Sequence, residues 1–232
     1  MTAAFRSAAP ATSVTDTLTI SKPAGVVDGD ILIWVQGSRA SGNGLSITTP
    51  PSGFTPGDSQ AAGITPDTQG FWFYKVASSE GASWSSVLSA APTGSSGAVL
   101  AFTSGNTSTP IAASSKSATN GGTTVSAPTV TTTEDNQLVL GLVVSNWAEG
   151  TWTKPAGTPT TTERADVQSG VGAHQTTLEV FEFTQISAGA TTARSATLSL
   201  DNDAGVGFQI ALKNAAAAGG LKGNLSLLGV GT

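Results

Sequence analysis

The 232-residue chain contains no cysteine, and it has only one methionine, one tyrosine and one histidine. Without cysteine it forms no disulfide framework and has no thiol to act as a nucleophile or a metal ligand. Charged residues make up 11% of the chain, with ten Lys and Arg against fifteen Asp and Glu and no basic cluster. A phosphate backbone is bound by such a cluster, so we expect no nucleic-acid partner.

Long apolar runs are missing as well. No eighteen apolar residues follow one another, and the first residues, MTAAFRSAAPATSVTDT, contain neither a basic leader nor a long apolar core. We therefore expect a soluble protein that has no membrane partner and is not exported by a signal of its own.

Catalytic signatures are also scarce. The single histidine, His174, lies in SGVGAHQ, away from any HExxH pattern, and no Gly-x-Ser-x-Gly elbow occurs. The acidic turns Asp28-Gly29-Asp30 and Asp201-Asn202-Asp203 offer oxygen ligands for calcium, but turn chemistry explains both and neither continues into an EF-hand loop. A pair of strand-borne carboxylates of the glycosidase type stays an open alternative. We predict no catalytic residue, no metal and no cofactor, and hence no enzyme.

What the sequence does have is Ser, Thr and Gly in abundance, with short apolar runs bounded by turn residues. This pattern predicts an all-β fold, an antiparallel β-sandwich resembling a jelly roll with about twelve strands. The runs are TLTIS (17–21), ILIWVQ (31–36), LSITT (45–49), FWFYKV (71–76), SWSSVLS (83–89), AVLAFT (98–103), TTVSA (123–127), QLVLGLVVS (137–145), TWTK (151–154), TLEVFEF (177–183), RSATLSL (194–200) and GFQIALK (207–213).

The two halves of the chain resemble each other in the order and spacing of these runs. DGD before ILIWV matches DNQ before LVLGL, and TTPPSGFT (48–55) matches TWTKPAGT (151–158). A period of this length indicates a duplicated β unit rather than a solenoid. We predict a first β repeat over 1–107, a linker over 108–122, a second β repeat over 123–214 and a C-terminal tail over 215–232. Whether the repeats form one sandwich or two is left open, with a single unit favoured.

Four aromatic rings stand side by side in FWFY (71–74), although aromatic residues make up only 6% of the chain. In a strand Phe71 and Phe73 share one face and Trp72 and Tyr74 the other, so both faces are apolar. When the two halves are aligned, Phe71 and Phe73 correspond to Leu178 and Val180, which predicts that this face of the strand belongs to the core in both halves. Trp72 is then either buried against the other half or a neighbouring subunit, or in contact with a ligand.

Exposed aromatic rings stack on sugar rings, so a weak ligand-binding set follows from the tryptophans and the tyrosine. Trp147, in the loop-like SNWAEG, is the best candidate, and Trp72 and Tyr74 complete the set. Trp34 and Trp152 lie within or beside apolar runs and are expected to be structural.

The tail changes composition abruptly at residue 215, where AAAAGG precedes LKGNLSLLGVGT. The Ala/Gly segment predicts a flexible lead, and the apolar residues after it predict an element that attaches the chain to a partner by strand addition. A final strand of the chain's own domain is the alternative. The predicted anchor residues are Leu221, Leu225, Leu227, Leu228 and Val230.

Several phrases together resemble the virion proteins of tailed bacteriophages, of the minor tail, head-fibre or decoration type. They are KPAGVVDGDILIWV, TTPPSGFTPGD, FWFYKVASSEGASW, TPIAASSKSATNGGTTVSAPTVTTTEDNQLVLGLVV and TWTKPAGTPTTTERAD, within residues 15–213. They are turn and strand phrases without a catalytic signature, and the tail departs from them.

The resemblance implies a non-enzymatic structural or display protein of the virion, assembled in the host cytoplasm. Its implied partners are other virion proteins of the capsid or the tail and further copies of itself, with a homotrimer as the first expectation. The alternative function is a carbohydrate-binding adhesin or receptor-binding module that recognises a host-surface glycan.

Overall fold

The computed structural model describes residues 1–40, 44–63, 68–146, 150–169, 176–202 and 204–216. These residues form β-strands and the loops between them, and no helix. The first half contains β1 (Ala4–Ser13), β2 (Thr17–Ser21), β3 (Ile31–Arg39), β4 (Ile47–Thr49), β5 (Thr55–Ala62), β6 (Thr68–Val76), β7 (Ser83–Leu88) and β8 (Gly94–Thr103). The second half contains β9 (Ile111–Thr119), β10 (Gly122–Ala127), β11 (Thr131–Thr132), β12 (Gln137–Ser145), β13 (Trp152–Thr153), β14 (Thr162–Gln168), β15 (Thr177–Gln185), β16 (Gly189–Ala190), β17 (Arg194–Asn202) and β18 (Gly205–Leu212).

Each half contributes a five-stranded inner sheet and a three-stranded outer sheet, and the strand pairs within these sheets are antiparallel. In the first half the inner order is β1-β8-β3-β6-β5 and the outer order β2-β7-β4. In the second half the inner order is β9-β18-β12-β15-β14 and the outer order β10-β17-β13, with the small pair β11-β16 beside them. The predicted all-β antiparallel sandwich is confirmed.

The two halves therefore arrange their strands in the same order once β11 and β16 are set aside. That order is close to a jelly roll, because the first strand pairs with the last and the second with the next to last. One strand departs from it in each half, since β5 and β14 extend the inner sheets rather than the outer ones. The shared order concerns topology alone, and the sequence repeat stays a prediction.

The inner sheets pack face to face, so the chain has four layers in the order outer, inner, inner, outer. Between the inner sheets lies the largest apolar cluster, here named the central core. A first outer core and a second outer core fill the two sandwiches on either side. The central core joins residues of both halves, among them Ile31, Ile33, Val35, Trp72, Leu100 and Phe102 with Leu138, Leu140, Leu142, Val180, Val206 and Phe208.

The central strands are buried on both faces, which explains their continuous apolar sequences. In β3, Ile31, Ile33 and Val35 point into the central core, whereas Leu32 and Trp34 point into the first outer core. Strands covered on both sides lose the polar alternation of a half-exposed strand. The expected single unit is thus two sandwiches that share one central core.

Glycine allows the inner sheets to approach closely. A Cβ atom at Gly70 would lie 2.5 Å from Val206 Cγ2 of the other half, and one at Gly37 would lie 2.4 Å from Val144 Cγ1. Real Cβ contacts are not this short, so any larger residue at either position would displace the facing valine. The two glycines thus set the spacing between the halves.

The aromatic strand is covered on both faces. Phe71 and Phe73 lie in the first outer core, and Trp72 lies in the central core with only 2% of its surface exposed. The expected match of Phe71 and Phe73 with Leu178 and Val180 is wrong, because those two residues share the central core with Trp72. A shift of one residue exchanges the two faces of a strand, and the alignment contained that error.

All twelve predicted runs form strands, and six further strands lie between or before them. The stretch 108–122, expected to be a linker, is mostly strand β9, an edge of the second inner sheet. The segment that joins the halves is the shorter stretch 104–110. Strand β9 is an edge strand because β18 is its one partner among the described strands, paired with it through Ala113 to Thr119 along nearly its whole length.

Candidate functional site

A cleft of about 420 Å³ opens where the two halves join, and we name it the linker cleft. The half-buried Tyr74 forms part of its wall, opposite the joining segment. The hydroxyl-bearing residues Thr55, Thr107, Ser108 and Thr109 also line it. An aromatic ring beside several hydroxyl groups provides a stacking surface together with hydrogen-bonding groups, the combination that small polar ligands use.

Lys75 also lines the linker cleft, but its charge is already neutralised. Its Nζ lies 2.7 Å from Glu80 Oε1, and it stands over the rings of Phe54 and Trp84 at 5.5 and 5.9 Å. Burial acts to raise the pKa of Glu80, but hydrogen bonds from Lys75, from the Ser78 N–H and from Trp84, with the Lys75 charge, lower it below its ordinary value. Lys75 thus stabilises the first half through these contacts and is not available as a free charge for a ligand.

A second depression of about 350 Å³, named the edge groove, runs between strands β4 and β5. Its lining is largely apolar, and the aromatic residues of β6 contribute to its floor. Strand β5 has joined the inner sheet, and no described strand pairs with the side of β4 that faces the groove. Its lining residues are Ser46, Ile47, Pro50, Pro56, Asp58, Ser59, Phe71, Trp72 and Phe73.

Glu179 of β15 is the most unusual titratable residue among the described ones. Its register partners are Val143 on β12 and Asp166 on β14, and none of its surface is exposed. Neither carboxylate oxygen has a hydrogen-bond partner among the described residues. Burying an unpaired charge is costly, so the neutral acid is the favoured form.

Burial raises the pKa of Glu179 to about 8, with the charges of Glu163 and Asp166 adding to the rise and Lys154 opposing it. Burial and the Glu163 charge also raise the pKa of Asp166. The Lys154 ammonium group donates a hydrogen bond to the carbonyl of Thr161, at 3.1 Å, so it is held near this corner. At neutral pH the Glu179 carboxyl group therefore keeps its proton and is uncharged.

The predicted ligand-binding residues have different outcomes. Of the two interpretations of Trp72, burial against the other half is the one that the structure shows, although the residue is among those that line the edge groove. Tyr74 lines the linker cleft. Trp147 lies outside the described residues, and so do the predicted anchor residues of the tail, Leu221, Leu225, Leu227, Leu228 and Val230.

The first acidic turn behaves as turn chemistry predicts. Asp28 Oδ1 accepts a hydrogen bond from the Ser79 N–H at 2.6 Å, and Asp30 accepts one from the Val27 N–H and pairs with Arg6 at 2.7 Å. The side chains of Asp201-Asn202-Asp203 and of His174 lie outside the description. Across the described ranges, no group of three or more His, Asp or Glu residues is arranged to hold a metal ion.

Two features were not predicted from the sequence. The edge groove depends on which sheet β5 joins, and no local pattern reports that choice. Glu179 could have been noticed as a carboxylate inside the apolar run TLEVFEF, where a strand covered on both faces has no exposed position for it.

Comparison of the chain with protein-family models, with curated proteins and with solved structures finds no match. Within the described residues there is also no helix long and apolar enough to cross a membrane.

Proposed function

We propose that the chain is a non-enzymatic structural or display protein of a tailed-bacteriophage virion, acting as a capsid decoration, head-fibre or minor tail component in oligomeric or arrayed form. The observation that carries the proposal is the four-layered stack of two sandwiches around one central core. Interiors packed on both faces of the inner sheets make a stiff block. Jelly-roll sheets recur in viral capsid and lectin domains, which supports the proposal by analogy of fold.

The electrostatics agree with a structural role. Of the carboxylates with a raised pKa, Glu179 is fully buried and has no surface to offer a substrate. The ion pairs Arg6–Asp30 and Lys75–Glu80 are both largely buried and tie neighbouring strands or turns together. Groups committed to such contacts stabilise a scaffold rather than a reaction.

Quantitative mass spectrometry of density-purified particles tests the proposal. We expect the chain at a fixed number of copies per particle, and antibody labelling in electron microscopy to place it on the capsid or the tail. A phage replication protein from the same lysate is the control that must be lost on purification. A chain that is lost together with that control would refute the virion role.

A second candidate, a glycan-binding adhesin, is favoured by one observation, the linker cleft with its half-buried tyrosine. We expect an adhesin to bind in a glycan array and to lose binding in Tyr74→Ala, while Trp147→Ala tests the other predicted aromatic residue. Ser85→Ala, on the outer face of the first half, is the matched control. Stoichiometric presence in particles without any glycan binding would favour the structural role.

A further inference from the structure

In the outer sheet of the first half, one edge has no partner among the described strands. Strand β4 pairs with β7, and within the described residues nothing pairs with its other edge. In an eight-stranded jelly roll the fifth strand would continue this sheet. Here Thr55 to Ala62 pair with β6 instead, so no described strand lies in the place beside β4. An open strand edge is a template for another strand.

The edge groove lies along this edge of β4. Ile47 and Pro50 flank it on the β4 side, and Pro56 and Ser59 on the β5 side, with Phe71 and Phe73 between them. A strand placed here would gain main-chain hydrogen bonds from the β4 edge and apolar contacts from the two rings. Strand addition combines both kinds of interaction in this way.

The chain itself carries a segment of the right kind. Beyond the described residues, 217–232 include LSLLGV (225–230), in which Leu225 and Leu227 alternate with a serine. A strand of this pattern presents both leucines to one face. The segment therefore matches the groove in its apolar character, and its six residues would form about 20 Å of strand.

The position at which the chain leaves the described structure indicates which copy's tail can reach the groove. The Ala215 N–H donates to the Met1 carbonyl, and the Met1 amino group donates to the Ala215 carbonyl, so the tail departs beside the start of β1. Strands β1 and β5 are opposite edges of the inner sheet. Four strand spacings separate them, about 19 Å, and the groove lies in the outer layer and further along the strands.

The nine Cα–Cα steps from residue 216 to residue 225 reach at most about 32 Å when fully extended, so the chain's own tail has little slack for that path. We propose that residues 225–230 of a second copy occupy the edge groove as a fourth strand beside β4. A donor at the β1 edge and an acceptor at the β5 edge make a head-to-tail contact, which closes into a ring or continues as an array. The inference adds a mode of assembly to the proposed structural role. It rests on that role only in the assumption that the chain assembles.

Sedimentation velocity of the full chain over a range of concentrations tests this contact. We expect reversible assembly that becomes at least about tenfold weaker in Ser59→Lys, which puts a charge into an apolar groove. The double variant Leu225→Asp/Leu227→Asp should weaken assembly equally. Thr197→Lys, at an exposed position of β17, is the matched control and should assemble like the parent chain. Circular dichroism melting checks that each variant folds.

Mixing the two defective variants provides the sharper measurement. Ser59→Lys keeps its tail and Leu225→Asp/Leu227→Asp keeps its groove, so an equimolar mixture should form a heterodimer that neither variant forms alone. An excess of the peptide LKGNLSLLGVGT should dissociate the parent assembly, whereas a scrambled peptide should not.

A monomeric parent chain, full assembly of Ser59→Lys, or no heterodimer in the mixture would each overturn the inference. A chain present in virions but monomeric in solution would overturn it and leave the proposed function standing. A chain that assembles as described but is absent from particles would do the reverse.

Discussion

The two halves of the molecule share one strand order but fill their outer cores differently. The first outer core is built around five aromatic rings, whereas the second has three rings, several small residues and a buried carboxyl group beside them. The rings of the first are Trp34, Phe54, Phe71, Phe73 and Trp84, and those of the second are Trp152, Phe181 and Phe183. The topology therefore does not require one particular packing, provided that the strands keep their faces.

One pair of positions shows how the same volume is filled in two ways. Trp34 lies opposite Phe73 on β6, and Gly141 lies opposite Phe181 on β15. A Cβ atom at Gly141 would come within 2.1 Å of the Phe181 ring, so that ring occupies the room above the glycine. The first half fills this layer with two side chains, and the second fills it with one.

A second pair shows where the halves differ in chemistry. Phe71 precedes Phe73 by two residues, and Glu179 precedes Phe181 by two, so each lies on the outer-core face of its strand. The first half buries a ring at this place, and the second buries a carboxyl group without a hydrogen-bond partner among the described residues. A substitution that removes this carboxyl group should therefore stabilise the second half.

The largest effect should come from removing the Trp34 ring, one of the five in the first outer core. Trp34→Ala leaves a cavity beside Phe54, whose ring centroid lies 6.1 Å away. We expect a loss of about 3–5 kcal/mol in the free energy of unfolding, as for other buried aromatic residues. Urea unfolding followed by circular dichroism measures it, with the exposed Ser85→Ala as control. A loss below about 1 kcal/mol would mean that the first outer core collapses to fill the space.

The central strands could be predicted from the sequence, but the edges of the inner sheets could not. Strands β1, β5, β9 and β14 have the sequences AFRSAAPATS, TPGDSQAA, IAASSKSAT and TERADVQ. They lack alternating large apolar residues because an edge strand needs to cover only part of one core. Their place in the sheet is decided by long-range pairing, which a local pattern does not report.

The candidate site was predicted only in part, for a related reason. The sequence identified the aromatic strand and Tyr74, and its burial alternative for Trp72 agrees with the structure. The edge groove follows from the sheet that β5 joins, so it was not foreseeable from local signals. The one-residue error in aligning β6 with β15 shows that register requires the pairing itself.

The buried carboxyl group of the second half predicts a pH dependence that Glu179→Gln should remove. Because burial raises its pKa to about 8 in the folded chain, from 4.5, the folded state keeps a proton that the unfolded state releases between these values. Stability therefore falls as the pH rises through this window, by at most about 1.4 kcal/mol per pH unit. Below pH 4.5 both states are protonated and this dependence vanishes.

Urea unfolding of the parent and of Glu179→Gln at intervals between pH 5 and 8 measures the difference. We expect the variant to gain on the parent steadily with rising pH. Glu182→Gln is the matched control on the same strand, since Glu182 pairs with Arg164 and should leave the slope in place. Parallel curves for the parent and Glu179→Gln would show that the carboxyl group reaches solvent.

A smaller effect should follow from adding one methyl group to the second half. Gly141→Ala forces the Phe181 ring out of its place, and overpacking of this size costs about 1–3 kcal/mol. Thermal unfolding measures it, and Gly81→Ala, where a Cβ atom meets nothing within 4 Å, is the control. If the double variant Gly141→Ala/Phe181→Leu recovers stability, the ring and the glycine share one volume.

The smallest effect should come from an exposed ion pair that joins the halves. Lys116 Nζ on β9 lies 2.7 Å from Asp58 Oδ1 on β5, and both side chains are more than a third exposed. At the opposite edge Arg164 of β14 stacks on the Phe5 ring of β1 at 4.2 Å, so that edge holds through packing as well as charge.

Lys116→Ala should therefore lower the free energy of unfolding by no more than about 0.5 kcal/mol, and the loss should fade as salt is added. A double-mutant cycle with Asp58→Asn isolates the pair, and repeating it in 1 M sodium chloride checks the screening. A coupling above about 1.5 kcal/mol that resists salt would contradict this and place the pair among the buried ones. Charges would then contribute, together with the apolar packing of the central core, to the stability of the junction between the halves.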